Sequence, residues 1–506
     1  MKKKLLKYLL WFVIGIITLV ALLYAIINWN GARAWEKIEA ELRAKGEPMW
    51  IEEVIPPLIP DDKNFAYSPF LRGVFEMETV MENGRQVYRS KYPDEVKRLN
   101  SLALPQKPAP PMIPSAKNDQ RTDIIAWQTY FRTHPEFQMP EAVGNPAKEV
   151  VLALNNWKAP LDEIARDLRA RPLMRAPLHY DRGFEVEIPH IGGLMQVSKF
   201  YQLRAIAQIR LGNSTAALAD LESILLLRKA LEPRQTTIGC LVASVMSAHA
   251  IPVIREGLAA KTWDETQLSS LSMKLESINP LAELSAALRT ERVVFLDATR
   301  RLTSFEFFQI NKMSDSPSTS LARPDTLVWE KVALWGIMHL PRGIWDLDRA
   351  LYCRLMQEQL DKVLDYKQGR FHVAASQDFE VQLMKHSTFP GKLLHLLTIT
   401  TIPVLSRLGS KSAEMNVAIG EARVAIALER YRLAHSSIPE NLTALVPEFL
   451  AQIPADPIDG KPLRYQKVSE PDYRIWSVGY NQKDDGGVAD ADYSKGDWLW
   501  TSLPPL

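Results

Sequence analysis

The sequence predicts a mainly α-helical protein with a transmembrane helix at its start, an array of helical hairpins in its middle and a small α+β unit at its end. Three observations carry that reading. Residues 8–27, YLLWFVIGIITLVALLYAII, contain no charge. From about Asp123 to Arg301 apolar residues recur at spacings of three and four, the period of a helix with one buried stripe. After Ala434 that period gives way to turn dipeptides and short β-rich runs.

At 1.5 Å rise per residue the uncharged run is about 30 Å long, the thickness of a bilayer's hydrocarbon core. Lys2, Lys3, Lys4 and Lys7 precede it. The positive-inside bias therefore leaves the N-terminus in the cytoplasm and sends the rest of the chain outside, with the bacterial inner membrane as the expected bilayer. Trp11, Tyr24 and Trp29 lie toward the ends of the run, where amphipathic rings favour the interface. A cleaved signal peptide is the alternative, since Ala32-Arg33-Ala34 offers a small-x-small site, but the apolar run exceeds the usual signal core.

Beyond the anchor, AWEKIEAELRAK (residues 34–45) places Trp35, Ile38 and Leu42 on one helical face, and Gly46-Glu47-Pro48 ends it. Prolines 56, 57, 60 and 69 exclude helix interior from residues 51–70, so this segment reads as an extended strap. Residues 104–114 (LPQKPAPPMIP) form a second Pro-rich connector. In the middle, residues 201–211 and 214–231 form two helices joined by Gly212-Asn213. A left-handed Gly212 closes the first, and Asn213 or Ser214 caps the second. Thr262-Trp-Asp-Glu265 reads as a capping box before a helix at 267–278. Residues 311–324 form a polar surface loop, and helical pattern resumes at 345–366 and 413–433. The apolar stretch Leu393–Leu405 is too short to span a bilayer and reads as a core helix, or else as a helix on the membrane surface. Turn signals at Pro454–Pro457 and Asp459-Gly460 lead to short strands around 463–465 and 473–477. The boundaries are a basic tip at 1–7, the anchor at 8–28, an amphipathic helix and Pro-rich strap at 29–122, a helical domain at 123–409 and an α+β domain at 410–506.

Composition narrows the function classes. A chain of 506 residues exceeds one ordinary core, and 46% hydrophobic with 24% charged residues excludes a disordered one. Lys plus Arg (61) balances Asp plus Glu (59), so no basic excess marks a nucleic-acid binder. The only cysteines, Cys240 and Cys353, allow at most one disulfide and exclude a cysteine-rich zinc site; their apolar helical surroundings suit small buried thiols.

Some segments carry resemblances. Ala205, Gly212 and Ala217 fall where a tetratricopeptide-type unit places its small residues, so the helical hairpins are similar to that repeat over about one unit. ALERYRLAHSSIPENLTALVPEFLAQIPADPIDGKPLRY followed by YRIWSVGYNQKDDGG resembles the globular head of the major pseudopilins of type II secretion. That resemblance implies a calcium-binding acidic loop closed by a tryptophan. The matching positions are Asp484, Asp485, Asp490 and Asp492, with Trp498 in the tryptophan's place. Asn481 stands where the family usually has Asp, and the spacing to Trp498 is longer. More broadly, the anchor, the AWE helix, the IPPLIPDDKNFA strap and the DDGG…GDWLW ending resemble a family of single-anchor bacterial membrane proteins. This second likeness implies an architecture and no particular activity.

The acidic loop also has a reading of its own. Carboxylates at 484, 485, 490, 492 and 497 would repel one another unless solvated or neutralised, and oxygen ligands on a glycine-rich loop suit Ca²⁺. It is no EF-hand, because Lys495 occupies the sixth position, where a glycine is required. Phosphate-binding loops, nucleophile elbows and zinc-protease helices are absent as motifs. The histidines are scattered. His179 and His190, flanking Asp181, Glu185 and Glu187, would serve zinc or acid–base chemistry only if the fold gathered them. His249 reads as a hydrogen-bonded core histidine, and Asp346 with Asp348 as caps of a helix start. The expectation is therefore a non-enzymatic, membrane-anchored interaction or scaffold protein whose partners are the bilayer and other envelope proteins. The alternatives are a component of a type II secretion or pilus-like assembly, although Val20 stands where a prepilin's Glu belongs, and an envelope hydrolase.

Overall fold

The computed structural model describes residues 2–82, 85–114, 120–178, 188–231, 236–301, 340–388, 391–490 and 492–504. The expected polar loop at 311–324, His339, and His179 with its acidic neighbours lie outside the described residues. The protein is mainly helical with small antiparallel sheets.

Helix α1 (Lys2–Ala44) joins the apolar run and the amphipathic segment without a break, and Gly46 turns the chain at φ +67°. The most apolar window of this helix is wholly unburied, and the helix is long and apolar enough to cross a membrane. In its C-terminal half Ile38 and Leu42 enter a core with Leu296, Ala350 and Cys353. The strap at 51–70 contains only short 3-10 turns, as its prolines require, and is pinned where Asn64 Nδ2 donates to Arg175 O at 2.9 Å. Between the two Pro-rich segments the structure adds what the sequence reading lacked: α2 (Arg72–Phe75), a hairpin of β1 (Met77–Glu82) with β2 (Arg85–Ser90), and α3 (Pro93–Asn100).

The helical part comprises α4 (Ile124–Arg132), α5 (Pro146–Leu154), α6 (Lys158–Ala170), α7 (His190–Arg210), α8 (Ser214–Ala230), α9 (Thr237–Ala259), α10 (Glu265–Glu276) and α11 (Pro280–Arg301). Helices α7 and α8 form the expected hairpin, with Gly212 at φ +74°. Asn213 does precede α8, but its side chain donates to Gln208 (2.7 Å) and makes no cap bond. The capping box of α10 is made by Asp264 and Gln267 rather than starting at Thr262, because Asp264 alone has the extended backbone and short carboxylate that reach the Gln267 amide. Helix α9 is also long and apolar enough to span a membrane, but 67% of its apolar window is buried inside the protein, which makes it a core helix.

Three further helices and a hairpin follow: α12 (Arg342–Glu358), β3 (Leu364–Asp365) with β4 (Arg370–Phe371), α13 (Val373–His386) and α14 (Gly391–Leu394). Helix α15 (Leu396–His435) then runs through the expected boundary at 409/410 without interruption. The C-terminal sheet has the order β5 (Arg464–Lys467), β6 (Tyr473–Ser477), β7 (Trp498–Thr501), all antiparallel; β7 is a strand the sequence reading did not name. Ile475 and Trp500 share one hydrophobic core with Phe65, Tyr201 and Ile251, so the tail packs into the helical part.

Contacts spaced along the helices set their direction. Gly343 lies against Ile27 and Asn28, and its N–H donates to Asn28 Oδ1 at 2.8 Å. Farther along, the Arg349 guanidinium sits over the Trp35 ring at 5.0 Å and Lys45 pairs with Asp361, so α12 runs parallel to the C-terminal half of α1. Asp348 accepts from the N–H groups of Leu397 (2.9 Å) and Thr398 (3.1 Å), while Gly409 approaches Phe371 beyond the end of α12. Helix α15 therefore runs the same way. Asp348 does cap a helix start, but that of α15; α12 already begins at Arg342, and Asp346 pairs with Arg349 within it.

Candidate functional site

The acidic loop joins β6 to β7, and its shape follows from where each carboxylate finds donors. Asp484 accepts from Trp476 Nε1 (2.9 Å) and the Gly486 N–H (3.1 Å), and the indole bond holds its carboxyl below the usual range. Asp485 accepts from Asn481 Nδ2 at 2.8 Å. Asp490 accepts from the Asp492 N–H (2.7 Å), and Asp492 in turn accepts from Ser494 Oγ (2.6 Å) and pairs with Lys495 (3.2 Å). Ser494 is the first cause of the lowered pKa of Asp492. Asp497 is 2% exposed and takes the N–H groups of Asp485 (3.3 Å) and Gly487 (2.8 Å); burial pushes its pKa up, with the neighbouring Asp484 and Asp485 adding to the shift.

The four positions expected to hold calcium are thus strung along the loop, each engaged by its own donors. Among the described residues no three His, Cys, Asp or Glu side chains gather as a metal-holding group. The residue that organises the loop is Asp497, whose signal in the sequence was its place between Gly496 and the apolar Trp498-Leu-Trp500. A second buried carboxylate, Asp456 of the PADP turn, joins the strands: it accepts from the N–H groups of Ile458 (2.9 Å) and Val478 (3.0 Å) and pairs with Arg464 at 2.7 Å. Burial raises its pKa too.

Beneath this loop is a cleft of about 360 Å³. One wall is a stripe of α9, Leu241, Val245 and Ala248; the opposite wall is a stripe of α15, Met415 and Ala418. Tyr493 and Trp498 close it from the loop, stacked at 6.0 Å between centroids, with Trp498 Nε1 donating to Tyr493 O at 3.1 Å. Its polar members on the two helices are Ser244, Lys411, Glu414 and Glu421. Val245 and Ala248 also line a second cavity of about 520 Å³, bordered by the Pro110–Pro114 strap, Trp127, Phe200, Lys199 and His249. Mostly apolar walls with a few polar groups are the usual make-up of a binding pocket. Sequence periodicity could mark Leu241, Val245 and Ala248 as one helical face, but not as a face left uncovered.

The remaining candidates are structural. His249 Nδ1 lies 2.9 Å from Ser198 Oγ, and burial lowers its pKa to about 4. Ser198 is fully buried, so no substrate reaches it as a nucleophile. His190 is buried beside Phe75 (5.0 Å), its pKa also lowered to about 4 by desolvation. His386 and His395 meet at 5.6 Å, and burial lowers both. Cys240 and Cys353 are separate buried free thiols, each pushed up to about 12 by desolvation. Comparison with family models, with curated proteins and with solved structures finds no match to this chain.

Proposed function

We propose that this chain is a membrane-anchored, exported interaction protein of the cell envelope, held by α1 with its N-terminus in the cytoplasm and presenting the cleft between α9 and α15 to a partner protein. The observation that carries the reading is the change in environment along one unbroken helix. Residues 8–23 are exposed throughout, whereas Ile27, Asn28, Gly31, Ile38 and Leu42 are built into the rest of the chain. An uncovered apolar surface of this length needs lipid around it. Retention of the helix is favoured over cleavage, because removal at Ala34 would discard the Asn28 bond and the Gly31 crossing. The mostly apolar walls of the cleft favour the burial of another apolar surface.

The test is the mass and topology of the mature protein. An intact N-terminus that resists alkaline extraction, with a C-terminal alkaline phosphatase fusion active outside the cytoplasm, is the expected result. A mature chain beginning at Trp35, or a C-terminus facing the cytosol, overturns it. A second reading, a subunit of a type II secretion or pilus-like assembly, draws on the order of long helix, three-stranded sheet and tryptophan-closed loop over 396–501. Co-purification of secretion-system subunits from detergent-solubilised membranes would favour that reading, and their absence would exclude it.

A further inference from the structure

The cavity under the second Pro-rich segment is enclosed by three separate parts of the chain. Residues Pro110–Pro114 form one side, Lys199, Gln202 and Leu203 of α7 a second, and Val245, Ala248 and His249 of α9 the third. An extended proline-rich segment rises about 3.1 Å per residue, so a space that follows five such residues is about 12 Å long. Along α7 the lining runs from Gln196 to Leu203, about 10 Å at a rise of 1.5 Å per residue. The space is therefore long rather than round, which suits an extended apolar chain. Its volume of about 520 Å³ lies within the range of small-molecule sites, about 300–1,000 Å³.

The polar groups in this lining restrict the ligand further. Gln202 is 3% exposed, and its side-chain amide has no hydrogen-bond partner among the described residues. A buried amide left unbonded costs stability, and a ligand that bonds it removes that cost. One helical turn away, Lys199 is the only charged side chain among the described residues that line the space, and none of their carboxylates pairs with it. His249 stands beside it: Nδ1 is held 2.9 Å from the Oγ of Ser198, the neighbour of Lys199. Burial lowers the His249 pKa, and the Lys199 charge adds to the shift. With the serine hydroxyl donating to Nδ1, the ring proton sits on Nε2 and is free for a ligand. An ammonium, an amide and a ring N–H thus stand together in an otherwise apolar space, a set of donors that calls for an anionic acceptor.

We propose that this cavity binds a long-chain carboxylate, its carboxyl group held by Lys199 and Gln202 beside His249 and its chain lying along the strap. The site meets the cleft between α9 and α15 at Val245 and Ala248, and it requires no partner protein in that cleft.

The probe is dodecanoic acid carrying a mid-chain diazirine, photolysed with the full-length chain in phosphatidylcholine nanodiscs. Labelled peptides are mapped by mass spectrometry. Probe dissolved in the bilayer labels the apolar run of α1, whereas bound probe is expected to label residues 104–114, α7 and α9. Unlabelled dodecanoate is expected to displace the cavity labels at a concentration at least about tenfold below that of dodecanol, which lacks the anion; tenfold is equivalent to about 1.4 kcal/mol. Lys199→Glu and Gln202→Leu are each expected to cut the cavity labels by about tenfold. Lys199 is exposed and the Gln202 amide unbonded, so neither variant should melt below the original chain. Labels confined to α1, or cavity labels unchanged by Lys199→Glu, overturn the site. Equal displacement by dodecanol overturns the carboxylate, and a lower melting temperature for Gln202→Leu overturns the role of that amide.

Discussion

The crossing of α1 and α12 rests on two glycines, and replacing one has a calculable result. A Cβ added to Gly343 would lie 2.5 Å from Asn28 Cα and closer still to the Ile27 carbonyl, where both neighbours are backbone and cannot rotate away. Ordinary carbon contacts begin near 3.5 Å, so Gly343→Val forces α1 and α12 apart by about 1 Å. The Asn28 Oδ1 bond to the Gly343 N–H, now 2.8 Å, then stretches past hydrogen-bonding range. Overpacking costs about 1–3 kcal/mol and the lost bond about 1 kcal/mol, so the crossing weakens by about 2–4 kcal/mol. The assay is amide hydrogen exchange of the full chain in nanodiscs, followed over the first turns of α12. An opening free energy lowered by 2 kcal/mol speeds exchange there by about thirtyfold. Gly15→Val is the control, since nothing lies within 4 Å of a Cβ at that position. Unchanged exchange in Gly343→Val, or the same acceleration in Gly15→Val, would refute the account of the junction.

The ion-paired Glu149 gives a pH test. Bonded to Arg132 (2.5 Å) and to the Gly144 N–H (2.6 Å), it has a pKa lowered to about 2, with the Arg132 hydrogen bond the first cause. A lowered carboxyl stabilises the fold above its unfolded pKa and loses that contribution as pH falls toward 2; at pH 7 the shift is worth about 3 kcal/mol at most, and about 2 kcal/mol after solvent screening. Exchange across α4 and α5 should therefore be faster in Glu149→Gln at pH 7, and the gap should narrow by pH 3.5; a gap that does not narrow contradicts the assignment. Because the acidic loop's carboxylates are each hydrogen-bonded in place, the melting temperature of the full chain should be the same in millimolar Ca²⁺ as in EDTA. A rise of several degrees with calcium would support Asp484, Asp485, Asp490 and Asp492 as its ligands. Cys240 and Cys353 should resist iodoacetamide at pH 8 in the folded chain and react on denaturation, since burial keeps both protonated; rapid labelling of the native protein would show that one is accessible.

Features set by local physics were legible from residues alone. The uncharged run, the Gly212 turn of the α7–α8 hairpin and the Pro-rich strap each depend on residues within a few positions of one another. The cap of α15 was not, because its acceptor, Asp348, lies forty-nine residues upstream of the Leu397 amide it bonds. The same holds for the domain boundary at 409/410. Residues on either side carry the same helical period, and only packing reveals one helix shared by both parts. The hairpin at 77–90 was missed because METVME and RQVYRS alternate weakly and contain charges. At the candidate site the loop's acidity was visible, whereas the cleft under it is a property of three distant segments and leaves no local pattern.

The C-terminal half of α1, α12 and the start of α15 run side by side, and this fixes a reach. From Leu397, tied to Asp348 near the base of α12, to Glu414 at the cleft is about 25 Å along α15 at a helical rise of 1.5 Å per residue. A rod of parallel helices holds that height, where a flexible tether would let it vary. On the membrane-anchored reading proposed above, that distance sets the cleft clear of the lipid.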